Sequence, residues 1–187
     1  MTYKTAVEIY DSLDEDSKVK EIYAHFGLAV YYAQVLEQQS INMIAACKQV
    51  ENKLTMPVDV EALWDEYDLG SRTFGKLINE IKGLYKLSDE DYQELKAVLK
   101  LRNYIAHDYF RFNAELFYNE SGQKRMIKDF INFQEMAKSM DIKLITYLRI
   151  YMDRIGLTDQ HIENIMEQTK QTWESKTIDE NHKTIIK

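Results

Sequence analysis

One proline, Pro57, and six glycines are all that punctuate 187 residues. Hairpins and sandwich turns need such residues at short, regular intervals, so this chain is confined to long uninterrupted elements. Glu, Lys, Gln, Leu, Ala and Met, which lose little on entering a helix, make up much of the rest. The fold class expected is all-α. An apolar fraction of 45% with 13 tyrosines supplies one sizeable core. Residues 1–176 are therefore expected to form a single helical domain, and 177–187 a polar, frayed tail.

Apolar spacing places the elements. Tyr3, Val7, Tyr10 and Leu13 mark a short first helix or arm before the acidic run Asp14, Glu15, Asp16. From Ser17, read as an N-cap, apolar residues recur at three- and four-residue steps to about Glu51, one helix of about ten turns. Glu37 sits on or beside that stripe, either as a buried carboxylate awaiting an Arg or Tyr, or as a partly exposed stripe edge. Met56 to Gly70 reads as a loop with a short helix packing Trp64. Ser71 is expected to cap a helix ending near Gly83 or Tyr85, and Ser88 with Asp91 to open another that runs to about Phe110. Asn113 to Gln123 is a connector with a turn around Leu116. A second long helix follows, with Met126, Phe130, Phe133, Met140, Leu144 and Leu148 on one face. Gly156 ends it, and Thr158 caps a last helix to about Trp173. Two long and two mid-length helices pack most economically as an up-and-down bundle with an extra C-terminal helix.

The formal charge of −7 argues against a broad basic surface for duplex nucleic acid but leaves room for a small anion site. Cys47 is the only cysteine, so no internal disulfide forms and a core position is expected for it. The longest apolar run, Phe26 to Tyr32, is far short of a membrane span. A cytoplasmic protein with no membrane partner is expected. His25, His161 and His182 fall in separate segments without ligand spacing, so no metal and no cofactor are expected.

Chemistry-bearing residues gather in one place, Leu99 to Phe112. On a continuous helix Asn103 and His107 lie about 40° apart, and Tyr109 returns to within about 20° of Arg102, so four polar groups would share one helix end. Arg offers a permanent forked charge suited to phosphate, His moves protons near neutral pH, and Tyr donates or stacks. Lys96, Lys100, Arg102 and Arg111 against Glu94 and Asp108 make a local positive excess in an acidic chain. Strand cleavage needs one proton taken from a 2′-hydroxyl and another given to the leaving oxygen. One histidine is thin for both, and a two-fold contact would bring a second.

Arg102-Asn103, three residues, His107, one residue, Tyr109 resembles the signature of the HEPN superfamily, and in particular its toxins paired with nucleotidyltransferase antitoxins. The resemblance covers about Leu99 to Phe110. It implies a HEPN-type bundle acting as a homodimeric, metal-independent ribonuclease, toxin-like or a phage-defence effector. Arg102 and His107 would be catalytic, with Asn103, Asp108 and Tyr109 in support and Lys96, Lys100 and Arg111 holding RNA. It also implies a possible nucleotidyltransferase-type antitoxin as partner, acting on the Tyr109 hydroxyl. The alternative is a non-catalytic module binding nucleotide, RNA or a protein partner through the same face.

Overall fold

The computed structural model describes residues 2–53 and 72–175. Every regular element among them is helical: α1 (Tyr3–Asp11), α2 (Glu15–Glu51), α3 (Phe74–Tyr85), α4 (Asp89–His107), the short α5 (Tyr109–Phe112), a 3-10 turn (Ala114–Tyr118), α6 (Glu120–Arg154) and α7 (Asp159–Ser175). The loop expected around Trp64, the Ser71 cap and the tail at 177–187 lie outside the described residues.

Caps explain most of the boundaries. Asp14, and not Ser17, opens α2: its carboxylate accepts the Ser17 N–H at 2.8 Å and so satisfies one of the free donors of the first turn. At the start of α4 the Ser88 hydroxyl accepts from the Asp91 N–H at 3.1 Å and donates to the Asp91 carboxylate at 2.7 Å. Thr73 takes the N-cap position of α3. Lys86 ends that helix in the left-handed region (φ 51°), and Gly156 (φ 75°) follows the end of α6.

The helices do not simply alternate in direction. Lys18 pairs with Glu120, Phe26 meets Phe130 at 5.6 Å and the Lys138 ammonium lies 4.8 Å from the Tyr32 ring. Contacts that advance together along both chains mean that α2 and α6 run parallel. In α4 the order is reversed, with Asp91 at Tyr147 and Tyr109, just beyond the helix, at Asp129. Gly75 faces Leu99 and Asn79 bonds Tyr92, so α3 opposes α4 as well. Of the four core helices α2, α3, α4 and α6, three thus point one way and α4 the other, which departs from the up-and-down expectation while keeping the all-α class. Ile22, Leu36, Ile44, Leu77, Leu95, Phe130, Phe133 and Met140 are fully buried in the core between them. Cys47 is buried there too, as expected. α7 buries none of residues 159–172 and stands as the extra C-terminal helix.

Two features of this packing are testable. A Cβ on Gly122 would lie 2.3 Å from the Leu116 carbonyl oxygen and 2.7 Å from its Cα, backbone that no rotamer change can move. Gly122→Ala should lose about 2 kcal/mol, the upper range of overpacking less the gain of Ala over Gly in a helix. Gly27, on the exposed side of α2 with nothing within 4 Å of its would-be Cβ, should instead gain up to about 1 kcal/mol as Ala. Urea midpoints moving in opposite directions are the expected readout; equal shifts would contradict the close approach of the 3-10 turn to α6.

His25 is 5% exposed, and neither ring nitrogen makes a hydrogen bond, although Nε2 lies 3.3 Å from a Glu21 oxygen. Burial pulls its pKa below the ordinary value of 6.5, with Glu21 opposing. A depressed folded-state pKa means that the unfolded chain binds more protons, so stability is intact above about pH 6.5 and falls as the pH drops below it. His25→Leu should flatten that loss when unfolding is followed from pH 7.5 to 5; an unchanged slope would place the acid sensitivity elsewhere.

Candidate functional site

α4 is fixed at both ends before any chemistry is considered. At its start Tyr147 donates to Asp91 at 2.6 Å, and Lys143 bridges Asp91 and Glu94. The Tyr147 hydrogen bond, then that of Ser88, holds the Asp91 carboxyl below the usual carboxylate range. Along its length Leu95, Val98 and Ile105 are buried. Near its end Arg102 reaches across to α2, where an Nη lies 3.1 Å from Glu37. Of the two expectations for Glu37, the partly exposed stripe edge is what the structure shows: the side chain is 26% exposed and not buried, although it does pair with an arginine 65 residues away.

The helix stops at His107. Asp108 takes φ −125°, and the chain re-enters a single turn at Tyr109 with its side chains redirected. Tyr109 is 3% exposed, donates its hydroxyl to Asp129 at 2.8 Å and packs on Phe130 with ring centroids 4.6 Å apart. Burial, then the hydrogen bond and charge of Asp129, raises its pKa well above the usual tyrosine value. The expected stacking of Tyr109 over Arg102 is thus not found, because the helix on which it depended ends two residues too early. Nor is the Tyr109 hydroxyl open to a modifying enzyme in this conformation.

Arg102, Asn103 and His107 do come together. With Thr73, Phe74, Gly75 and Leu99 they line an open cleft of about 400 Å³ between α3 and α4. One Nη of Arg102 donates to Asn103 Oδ1 at 3.0 Å and the other to Glu37. A guanidinium carries five N–H donors, so donors remain for an incoming anion. Glu37 and Asn103 thereby fix the direction of the fork. His107 and Asn103 are exposed, and the imidazole can give or take a proton at the cleft mouth.

Of the other candidates, Asp108 pairs with Arg111 at 2.5 Å, and that guanidinium also lies 4.7 Å from the Phe112 ring. The Lys96 ammonium is 5.4 Å from the Tyr92 ring. Lys96 and Lys100 are exposed on α4 and do not line the cleft. The lining from Thr73 to Gly75 escaped sequence reasoning, since nothing local ties the start of α3 to the end of α4. Glu37 did carry a signal, as a carboxylate on an apolar stripe. Among the described residues no three His, Cys, Asp or Glu side chains gather to hold a metal ion, and no helix is long and apolar enough to cross a membrane.

Fold and site together define an all-helical bundle presenting a guanidinium, an amide and an imidazole at one open helix end. Comparisons with protein-family models, with curated proteins and with solved structures found no match.

Proposed function

We propose that the chain is a metal-independent endoribonuclease of HEPN type, toxin-like or a phage-defence effector, that works as a two-fold dimer. The observation that carries this reading is the shared cleft of Arg102, Asn103 and His107, in which a directed guanidinium with free donors stands beside an exposed imidazole. Arg102 would hold the scissile phosphate and stabilise the charge that develops on it, and His107 would move a proton. A second copy across a two-fold axis would provide the second histidine. Support for such a contact comes from α2: between Glu21 and Glu37 it carries no formally charged residue. Its outward side there shows Tyr23, Leu28 and Tyr31, exposed by 52%, 40% and 55%.

The test is cleavage of total RNA in chelator by the purified wild type beside Arg102→Ala and His107→Ala, with molecular mass in solution measured alongside. Product from the wild type alone, made by a dimer, is expected. The engagement of Arg102 with Glu37 favours a structural share in that arginine's role and so keeps a second, non-catalytic reading, a module that binds through the same cleft. Saturable RNA binding by the wild type without product would select it.

A further inference from the structure

Away from the Arg102 cleft, the side of α6 that faces α1 forms a second opening. Tyr3, Glu120, Ser121, Lys124, Arg125, Lys128, Asp129 and Asn132 enclose an open cleft of about 760 Å³, within the range of ligand sites. An adjoining cavity of about 440 Å³ shares Arg125, Asp129 and Asn132 and carries the depression on past Tyr104 and Asn113 towards Met136. From Ser121 to Met136 the track follows α6 for about 22 Å.

Its charge is the telling feature. Of the two acids in the first cleft, Glu120 is paired with Lys18, whereas Asp129 accepts from the Tyr109 hydroxyl and keeps its charge, so the lining carries three cations against one uncompensated carboxylate. Lys124 is held by Asp11 at 2.5 Å. Arg125 and Lys128 are exposed, one helical turn apart, and among the described residues neither forms an ion pair. The Lys128 ammonium lies 5.6 Å from the Tyr3 ring, so the cationic edge runs directly into an aromatic one. Two unpaired cations, an exposed amide at Asn132 and a ring along one groove match a phosphate backbone with bases free to stack. A chain of net charge −7 otherwise repels such a ligand.

We infer that this α1–α6 groove is a binding track for single-stranded RNA, with Arg125 and Lys128 each neutralising one backbone phosphate. It rests on the proposed function only in taking RNA as the ligand, and it is separate from the Arg102 cleft, with which it shares no residue. The positioned strand would be held by α6 while its reacting phosphodiester is handled at the end of α4.

The experiment is fluorescence anisotropy of a labelled single-stranded RNA 12-mer across a salt series, using the full chain carrying His107→Ala so that binding is read without cleavage. Adding Arg125→Ala and Lys128→Ala should lower the slope of log K against log salt by about 1.4, two phosphates at about 0.7 each on a single strand. At 0.1 M salt this corresponds to an affinity about 25-fold weaker. An unchanged slope and affinity, or no binding by either protein, would overturn the inference, and cleavage by the wild type would be untouched by the first of these. A reduced slope in a protein whose wild type never cleaves would support the groove and sink the catalytic reading. Displacement of the RNA by inorganic phosphate at equal phosphate concentration would assign the groove to isolated phosphate ions and overturn the strand.

Discussion

His107→Ala should slow single-turnover RNA cleavage by about 10²–10⁴-fold, the usual worth of a positioned acid or base. In the proposed step the 2′-oxygen bonds to phosphorus and the bond from phosphorus to the 5′-oxygen breaks. One proton leaves the 2′-hydroxyl and another reaches the departing oxygen. The imidazole stands exposed at the last residue of α4, so its removal should leave the fold, the melting temperature and RNA binding intact. Arg102→Lys separates charge from geometry. Lysine keeps the charge but loses the fork that Glu37 and Asn103 aim, and a loss of about 10²–10³-fold in the same assay is expected. Mixing the two inactive proteins adds a test of the dimer: if each active centre draws Arg and His from both copies, Arg102→Ala and His107→Ala subunits should partly restore product on exchange. Full activity of His107→Ala would remove the catalytic assignment altogether.

How far α2 and α6 were legible follows from their own residues. Each carries an unbroken three- and four-residue apolar rhythm with no proline, and Ser88, Thr158 and Gly156 do locally what their chemistry dictates. Thr158, for instance, accepts the His161 N–H at 3.2 Å. Asp14 and Ser17 are both capping residues, and the acidic stretch could be read as a loop or as a helix start; the start prevails because Glu15 and Asp16 suit the positive end of the helix. The break at Asp108 had no such local mark. Residues 104–112 contain neither glycine nor proline and would continue as helix by propensity alone. Packing decides against it, drawing Tyr109 and Phe110 onto Phe130 and Phe26. The candidate site divides along the same line. Arg102, Asn103 and His107 meet because they lie on one regular helix, whereas Tyr109 leaves them because its place is set by Asp129 and Phe130 on α6. The α1–α6 groove went unread in the sequence: Lys124, Arg125 and Lys128 share a helix face by spacing, but Tyr3, more than a hundred residues away, joins them only through tertiary structure.

That dependence makes Phe130 the residue whose loss should cost most. Its side chain is fully buried, and its ring lies 5.6 Å from Phe26, 4.6 Å from Tyr109 and 6.1 Å from Phe110. Phe130→Ala removes the ring and leaves a void that a parallel helix pair can close only in part, a loss of about 3–5 kcal/mol. For a chain of this size that is a fall in melting temperature of about 6–20 °C, against a total stability of about 5–15 kcal/mol. Phe130→Leu, which keeps most of the volume, should cost far less. The effect should also reach the site. The same ring holds the turn that ends α4 at His107, and Tyr109 keeps its bond to Asp129 only while that turn is in place. In Phe130→Ala at a temperature where the chain is still folded, amide exchange at 105–110 should therefore quicken more than in the middle of α4. Cleavage should fall with it, although Phe130 touches none of the cleft residues. If the melting temperature drops while exchange at 105–110 stays slow, the aromatic cluster stabilises the core without governing the helix end.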